Sequence, residues 1–435
     1  MSAALRRTAM DVIAVRPGPP LTGVVTVGGA PGSAAALIAT AAAAMRPVQI
    51  SAVPETSDIA LLLALVEGMG TPVTRPLGRP EQVTVLEPQG VHALDHAVAE
   101  RVRAAVLLVP ALLARRGAAR LPWPGQARLD MRGLEAQFRM YEAFGDSVTV
   151  DDTQFVVKGG SGRGRVRHRL VVPSRGATIT AMLRALVAAR PLSLEGAHLA
   201  QGSRVVVHAL RSLGWSVQVS GNTVKMAPPL APPLALSPWT VPGDQAEAAA
   251  VAAAVAVTGG STRIDALSEH DAASLQSVIA PLGAIAVYRA GSLFVDAVGQ
   301  PPASGPGTSL TAGVDGVDSS LIPLLTVMAF GVPGRHFVAD ALRPEPLQAL
   351  LPHLLRMGAS IRRTSDSEFH FDGPQRLVGA SVEATDSITS AALLIAGLRA
   401  KGVTTIAEPG RVRHGLATLP SKLAALGADI VTITP

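Results

Sequence analysis

Six short stretches of this chain carry the residue types that hold anions. They are Pro31-Gly32-Ser33, the segment entering at Arg103, Ser174-Arg175-Gly176, Pro242-Gly243-Asp244, Asp318-Ser319-Ser320 and Thr385-Asp386-Ser387. Each leads into an apolar run that reads as a helix, and most place Ser, Thr, Asp or Gly where an N-cap belongs. A helix N-terminus offers unpaired amides and partial positive charge, which favour phosphate or carboxylate ligands. Arg103 and Arg175 add guanidinium forks suited to bidentate contacts. Capping alone explains any one of these ends. Six of them, with arginines nearby, point to a cleft for anionic small molecules.

The remaining polar clusters read more plainly. Glu247 follows Asp244 by three residues on one helix face, so a capping box accounts for the pair. The densest basic run, KGGSGRGRVRHR at 158 to 169, lies between the strand-like stretches DTQFVV and RLVVP and reads as a solvated hairpin loop. Its glycines open no helix, so a dinucleotide fingerprint fails its context test. His168 and His208 read as surface or partner-satisfied histidines. Trp123 reads as an exposed loop residue packed on its own lobe, with gating of the loop as the competing role. No His, Asp and Glu spacing indicates a metal site, and no motif calls for a cofactor.

What positions these ends is a repeat. Six amphipathic helices finish in a hydrophobic residue plus glycine, at Gly70, Gly145, Gly214, Gly283, Gly358 and Gly427, 69 or 75 residues apart. A period that regular marks one supersecondary unit copied six times. The glycine fits the left-handed residue that terminates a helix. Upstream of each glycine lies a second helix, apolar nearly all round: SAAALIATAAAA, VRAAVLLVPALLA, GATITAMLRALVAA, QAEAAAVAAAVAV, SSLIPLLTVMAF and SITSAALLIAGL. Such helices belong inside. Each unit therefore reads as strand, buried helix, strand, exposed helix and a pair of strands, making an α/β protein of six βαβαββ repeats. If three repeats form each lobe, pseudo-threefold packing turns the buried N-termini toward one space.

Composition sets the bounds. A chain of 435 residues exceeds one ordinary core, so two lobes are expected. Apolar residues make up 48% but aromatics only 3%, which implies an aliphatic, Ala-rich interior. The absence of cysteine excludes disulfides, thiolate metal sites and a thiol nucleophile. No apolar run reaches the roughly 18 residues a membrane span requires, and MSAALRRTAMDVIAV lacks a signal-like apolar region. A cytoplasmic protein with no membrane partner is expected. The net charge of +6 is almost all arginine and suits a GC-rich coding sequence. Nucleic acid is a poor partner, because stacking aromatics are scarce and the charge is scattered.

In order and spacing, several segments resemble the enolpyruvyl transferases, and among them the UDP-N-acetylglucosamine carboxyvinyltransferases more than the enolpyruvylshikimate phosphate synthases. They are LTGVVTVGGAPGSAAAL, ISAVPETSDIALLLALVEGMG, VRAAVLLVPALLARRGAARLP, SRGATITAML, VPGDQAEAAAVAAAVAVTGG, ATDSITSAALLIAGL and KLAALGADI. The likeness spans essentially the whole chain. It implies a two-lobed inside-out α/β barrel, one lobe from residues 1–30 plus 242–435 and the other from 31–241, with substrate held in the cleft.

Residue by residue, the resemblance implies roles. Arg103 and Arg132 match arginines that contact phosphoenolpyruvate or the nucleotide diphosphate, and Ser174 and Gly176 fall on the diphosphate-binding turn, with Arg175 between them. Asp318 matches the general base, with Asp315 close enough to confuse the register. Asp130 stands in the mobile loop that elsewhere carries the general acid. Arg343 lies near a cleft arginine, and Asp386 matches an aspartate of the same wall, with Asp244 at a further helix start. Departures gather around the donor: Pro31 and Gly32 stand where the family has lysine and asparagine, and Ile388 and His414 stand at two arginine positions. Arg128, Arg175 or Arg413 is placed to compensate.

Three readings stay open. One is a diverged transferase acting on a phosphorylated or nucleotide-linked acceptor. Another is a biosynthetic enzyme repurposed, for example in specialised metabolism, for elimination, cyclisation or isomerisation without phosphoenolpyruvate. The third is a homologue that only binds ligand. The sequence leaves the oligomeric state open.

Overall fold

The computed structural model describes residues 11–123, 131–231, 233–299, 307–313, 317–408 and 416–433. Asp130, Asp315, His414, Arg128 and Arg413 lie outside the described residues, as does the side chain of Arg132. The chain divides into two compact units, one made of Gly29–Pro242 and the other of the chain up to Gly28 and from Gly243 onward.

In the first unit the helices are α1 (Pro31–Ala44), α2 (Ser57–Gly68), the short α3 (His96–Ala99), α4 (Val109–Arg116), α5 (Met131–Ala143), α6 (Arg175–Ala188) and α7 (Gln201–Ser212). A 3-10 turn, Arg103–Leu108, runs directly into α4. The other unit holds α8 (Gln245–Thr258), α9 (Glu269–Ile279), α10 (Ile322–Ala329), α11 (Glu345–Arg356), α12 (Ser387–Gly397) and α13 (Leu419–Ala425).

The two helix types differ as the repeat requires. In α1 every residue from Ser33 to Ala43 is buried, and in α8 every residue from Glu247 to Val255. Alanine gives up no side-chain entropy in a helix and lets axes approach closely. Accordingly α1, α4 and α6 pack on one another, and so do α8, α10 and α12. The glycine-ending helices bury one stripe: α11 does so with Leu347, Leu350, Leu351 and Leu354, the i, i+3, i+4, i+7 spacing of an amphipathic helix. Each such leucine stabilises by roughly 1.5–3 kcal/mol.

All six repeat glycines have positive φ: +84° at Gly70, +89° at Gly145, +86° at Gly214, +84° at Gly283, +86° at Gly358 and +107° at Gly427. The recurrence of glycine in the sequence is thus a backbone requirement, since a Cβ makes that conformation costly.

Six small sheets accompany the helices. Their common order is the strand before the buried helix, the strand after it, then the second and first strands of the hairpin. Ser309–Thr311, Gly334–Ala339, Glu368–Gly373 and Arg362–Arg363 follow it within one repeat. The first two strands are parallel, as a βαβ crossover demands, and the others antiparallel. Three repeats complete this plan with distant chain. Thr22–Thr26 pairs in parallel with Ser261–Asp265, and Trp239–Thr240 with Val48–Ser51. Asp11–Arg16 supplies the missing hairpin strand between Thr404–Glu408 and Asp429–Ile433. Among the described residues the second repeat has three strands, Ala118–Pro122, Gln154–Lys158 and Ser147–Val150. Each unit has its own aliphatic core.

The basic run is not a hairpin loop. Gln154–Lys158 belongs to the three-stranded sheet, whereas Val166–Arg169 pairs in parallel with Leu192–Glu195 in the next one. The run links two repeats and itself contains the strand that was expected at RLVVP. Arg190 fastens it, donating to the carbonyls of Gly164, Arg163 and Phe144.

Candidate functional site

In the Gly29–Pro242 unit the helix starts differ in how they are closed. Ser174 caps α6, its Oγ accepting the Ala177 N–H at 3.2 Å. Its carbonyl accepts the Thr178 hydroxyl, and that hydroxyl in turn accepts the His198 N–H at 3.0 Å. The chain entering α6 is therefore held from both sides. No side chain caps α1, which starts at Pro31 after Ala30, nor the 3-10 turn that starts at Arg103. Arg103 and Arg175 are exposed. A Cβ on Gly32 would come 4.0 Å from Arg175 Nη1, and one on Gly202 would come 3.7 Å from Arg175 Cδ. The Arg175 side chain thus runs past the first turns of α1 and α7.

Gly176 is glycine for want of room. A Cβ there would sit 2.7 Å from Gln137 Nε2, and Gln137 is engaged as acceptor for the buried Thr180 hydroxyl at 3.0 Å. One turn further on, Arg184 forms a bidentate pair with Asp146, both contacts 2.7 Å, with side chains 8% and 0% exposed. Asp146 also accepts the Gly160 N–H at 2.8 Å. Buried pairs of this kind persist only when their remaining hydrogen bonds are met, and here they anchor the helix that carries Ser174 to Gly176. Arg132 lies in the first turn of α5.

In the other unit Asp244 caps α8 through the Ala246 N–H at 2.9 Å, and Asp386 caps α12 through the amides of Ile388 at 3.0 Å and Thr389 at 2.9 Å. Asp318 does not cap α10, as its place before the apolar run had led us to expect. That helix begins at Ile322, and Asp318 instead closes a turn ahead of it. Its Oδ1 accepts the Ser320 N–H at 2.9 Å and the Ser320 hydroxyl at 2.6 Å, and its carbonyl accepts the Leu321 N–H. Two prolines, Pro31 and Pro323, sit in the first turns of α1 and α10, where a missing N–H is tolerated. Arg343 is exposed, in the segment between Gly334–Ala339 and α11.

Asp244 and Glu247 do not form the expected capping box. The Asp244 N–H donates to the Gly28 carbonyl at 2.8 Å. Glu247, 4% exposed, accepts the Gly28 N–H at 2.7 Å and pairs with Lys422 Nζ at 2.7 Å, with the Thr418 hydroxyl at 3.2 Å. Burial, reinforced by the Glu247 charge, pushes the Asp244 carboxyl up to about 6, against the pull of the Ala246 and Glu247 amides and of Lys422.

Trp123 is buried, not exposed: its ring meets Phe155 at 5.7 Å and Phe138 at 6.5 Å, and its Nε1–H donates to the Asp151 carbonyl at 2.9 Å. That removes the observation behind a gating role. His168 and His208 are both shifted below the usual imidazole range by burial, with Arg139 adding for His168 and Arg211 for His208. Among the described residues no group of three or more His, Asp and Glu could hold a metal ion, and no helix is long and apolar enough to cross a membrane. Sequence reasoning missed Asp340, a 1% exposed carboxylate three residues before Arg343. Its only signal was an aspartate closing the apolar strand RHFVA.

The family model for EPSP synthase (3-phosphoshikimate 1-carboxyvinyltransferase) matches residues 15–423. This chain belongs to the enolpyruvyl transferases. A UDP-N-acetylglucosamine 1-carboxyvinyltransferase of Gloeobacter violaceus is 30% identical over 426 residues, covering 94% of this chain and 88% of its own. One of Caldanaerobacter subterraneus, designated 3, is 28% identical, covering 98% and 100%. Among solved structures, the enolpyruvyl transferase NikO from Streptomyces tendae has a TM-score of 0.82 at 22% identity, over 98% of this chain and 100% of that one. The EPSP synthase of Acinetobacter baumannii has a TM-score of 0.74 at 19% identity, over the same shares. The enolpyruvyl transferase fold is thereby shown for the whole plan of six βαβαββ repeats. Two of the departures expected from the resemblance also have a definite place in the structure. Pro31 is the first residue of α1, and Ile388 packs partly buried against the aliphatic core of its unit.

Proposed function

We propose that this chain is a diverged transferase acting on a phosphorylated or nucleotide-linked small molecule, with Asp318 as the base for the acceptor hydroxyl. The observation that carries this reading is the Asp318 turn, in which Ser320 fixes one carboxylate oxygen at the entrance of α10. In the Gly29–Pro242 unit, Ser174, Arg175, Gly176, Arg103 and Arg132 are assigned to the anionic acceptor and Asp130 to proton delivery; in the other unit, Arg343, Asp386 and Asp244 are assigned to substrate binding. In enolpyruvyl transfer the acceptor oxygen loses its proton and bonds to the donor's C2 while the donor methylene gains a proton. Loss of a methyl proton and of phosphate then restores the double bond. A positioned acid or base typically contributes about 10²- to 10⁴-fold.

The donor side differs most from the resemblance. Pro31 offers neither charge nor N–H, and Ile388 is spent on packing. Arg175, beside Gly32, is the described cation best placed to stand in. The same two positions favour a second reading, in which the enzyme catalyses elimination, cyclisation or isomerisation on the same class of ligand without phosphoenolpyruvate. A ligand-binding homologue without turnover is the third.

Thermal stability measured with UDP-sugars, UMP and shikimate phosphate, each with and without phosphoenolpyruvate, separates them. A ligand at 100 times its dissociation constant adds about 2.7 kcal/mol. A shift enlarged by phosphoenolpyruvate, with phosphate release that Asp318→Asn lowers at least about 10²-fold, is the expected result. A shift with nucleotide alone, indifferent to phosphoenolpyruvate, sinks the transferase.

A further inference from the structure

Asp340 lies just past Gly334–Ala339 and is buried, yet it belongs to none of the helix starts. One of its oxygens takes three hydrogen bonds: from the Ser319 hydroxyl at 3.0 Å, the Leu342 N–H at 3.1 Å and the Arg343 N–H at 2.8 Å. Its own N–H donates to the Ser367 carbonyl at 2.9 Å, tying it to the turn before the antiparallel neighbour strand. The three donors come from two segments. Ser319 belongs to the turn that Asp318 closes, and Leu342 and Arg343 lead into α11.

We infer that Asp340 is a positioning residue that fixes the Asp318 turn and the Arg343 segment relative to each other. The structural part stands on its own; the catalytic consequence rests on the role proposed above for Asp318. The 3.0 Å bond from Ser319 to Asp340 ties its turn to the end of the strand Gly334–Ala339. Burial raises the Asp340 carboxyl above its usual range, opposed by the Arg343 amide, the Ser319 hydroxyl and the Leu342 amide and assisted by Glu345. The role calls first for an acceptor of the right shape at that place. Asparagine, which keeps a carbonyl oxygen at that place, should serve nearly as well.

Three variants test this: Asp340→Ala, Asp340→Asn and Ser319→Ala. The first readout is hydrogen exchange at the amides of Ser320, Leu342 and Arg343, which needs no turnover. Asp340→Ala should speed exchange at all three, Ser319→Ala at Ser320 alone, and Asp340→Asn at none. The second readout is kinetic. A displacement of about 1 Å at a reacting group costs on the order of 10²-fold, so Asp340→Ala should lower kcat by that order with little change in KM, and Asp340→Asn should restore it to within several-fold.

Faster exchange confined to Leu342 and Arg343 in Asp340→Ala overturns the coupling. An Asp340→Asn protein as inactive as Asp340→Ala, with wild-type exchange, overturns positioning in favour of direct proton transfer. A folded Asp340→Ala protein with full kcat overturns the catalytic consequence. Should the wild-type protein show no turnover, the proposed transferase falls and the exchange pattern still decides the coupling.

Discussion

Asp244→Asn should make this protein more stable at neutral pH, against the usual expectation for removing a charged N-cap. The Asp244 carboxyl is pushed from 3.8 up to about 6 in the folded chain. Between those values the folded state binds more protons than the unfolded one, so this group makes stability fall as pH rises. The penalty is absent below about pH 4, grows through the window and is complete above about pH 6. The rise from 3.8 to about 6 corresponds to on the order of 3 kcal/mol. Asp244 as a residue is only partly buried, which makes that figure an upper bound. Asparagine retains an oxygen for the Ala246 N–H, so the cap itself survives. Urea denaturation of both proteins from about pH 4 to pH 8 should show no difference at the acid end. The variant's advantage should then open through the window toward that bound. A difference independent of pH would show that Asp244 ionises as freely in the folded chain as in the unfolded. An advantage for the wild type at high pH would show that Lys422 outweighs burial and the Glu247 charge.

Two further perturbations test the framework of the other unit and the repeat. Arg184→Leu leaves Asp146 buried without its cation and should cost about 3–5 kcal/mol. Adding Asp146→Leu should recover part of that loss, a non-additivity readable from urea midpoints. For the repeat glycine, a Cβ on Gly358 would meet Val378 at an ordinary 3.6 Å, so Gly358→Ala should cost only the left-handed strain, about 1–2 kcal/mol. A Cβ on Gly160 would fall 1.8 Å from the Gly145 carbonyl oxygen. Gly160→Ala should therefore unfold at clearly lower urea than Gly358→Ala, and equal midpoints would contradict the packing described.

Those glycines also explain why so much of the architecture was readable. Left-handed backbone is restrictive enough that its residue recurs, and Ala-rich helices with no polar face have only an interior to go to. Ser174, Asp244 and Asp386 were readable for a similar reason, since a cap is satisfied within three residues. What escaped was non-local. Nothing in Trp239–Thr240 announces a pairing with Val48–Ser51, and Glu247 finds Lys422 only through the packing of α13 beside α8. Val166–Arg169 hid because an edge strand with one face in water can carry alternate basic residues and still be a strand. Asp318 was placed correctly in order but wrongly in geometry: an Asx turn and an N-cap share the same residue types, and only the start of α10 at Ile322 separates them.

The distribution of caps bears on where an anion would be received. At α6, α8 and α12 a side-chain oxygen already occupies first-turn amides, from Ser174, Asp244 and Asp386. Those ends have spent part of their donor capacity, and two of them have added a carboxylate that repels a second anion. At α1, the Arg103 turn and α10 no side chain intervenes. Helix-end attraction for a phosphate is carried by free amides and falls off within one turn, so under the proposed function the uncapped ends offer an anion more amides than the capped ones, and α6 contributes chiefly through Arg175. Arg175 lies beside the first of the uncapped ends and Arg103 begins the second. Under the proposed function, the departures expected at Pro31 and Ile388 are then unequal in effect. Ile388 sits on a helix already closed by Asp386, where an anion gains little from the amides. Pro31 sits on an open one, where Gly32 leaves the backbone accessible and a guanidinium stands close by. A planar fork in place of a lysine's point charge favours a ligand presenting two coplanar oxygens, so under the proposed function the change at α1 alters which anion is held more than whether one is.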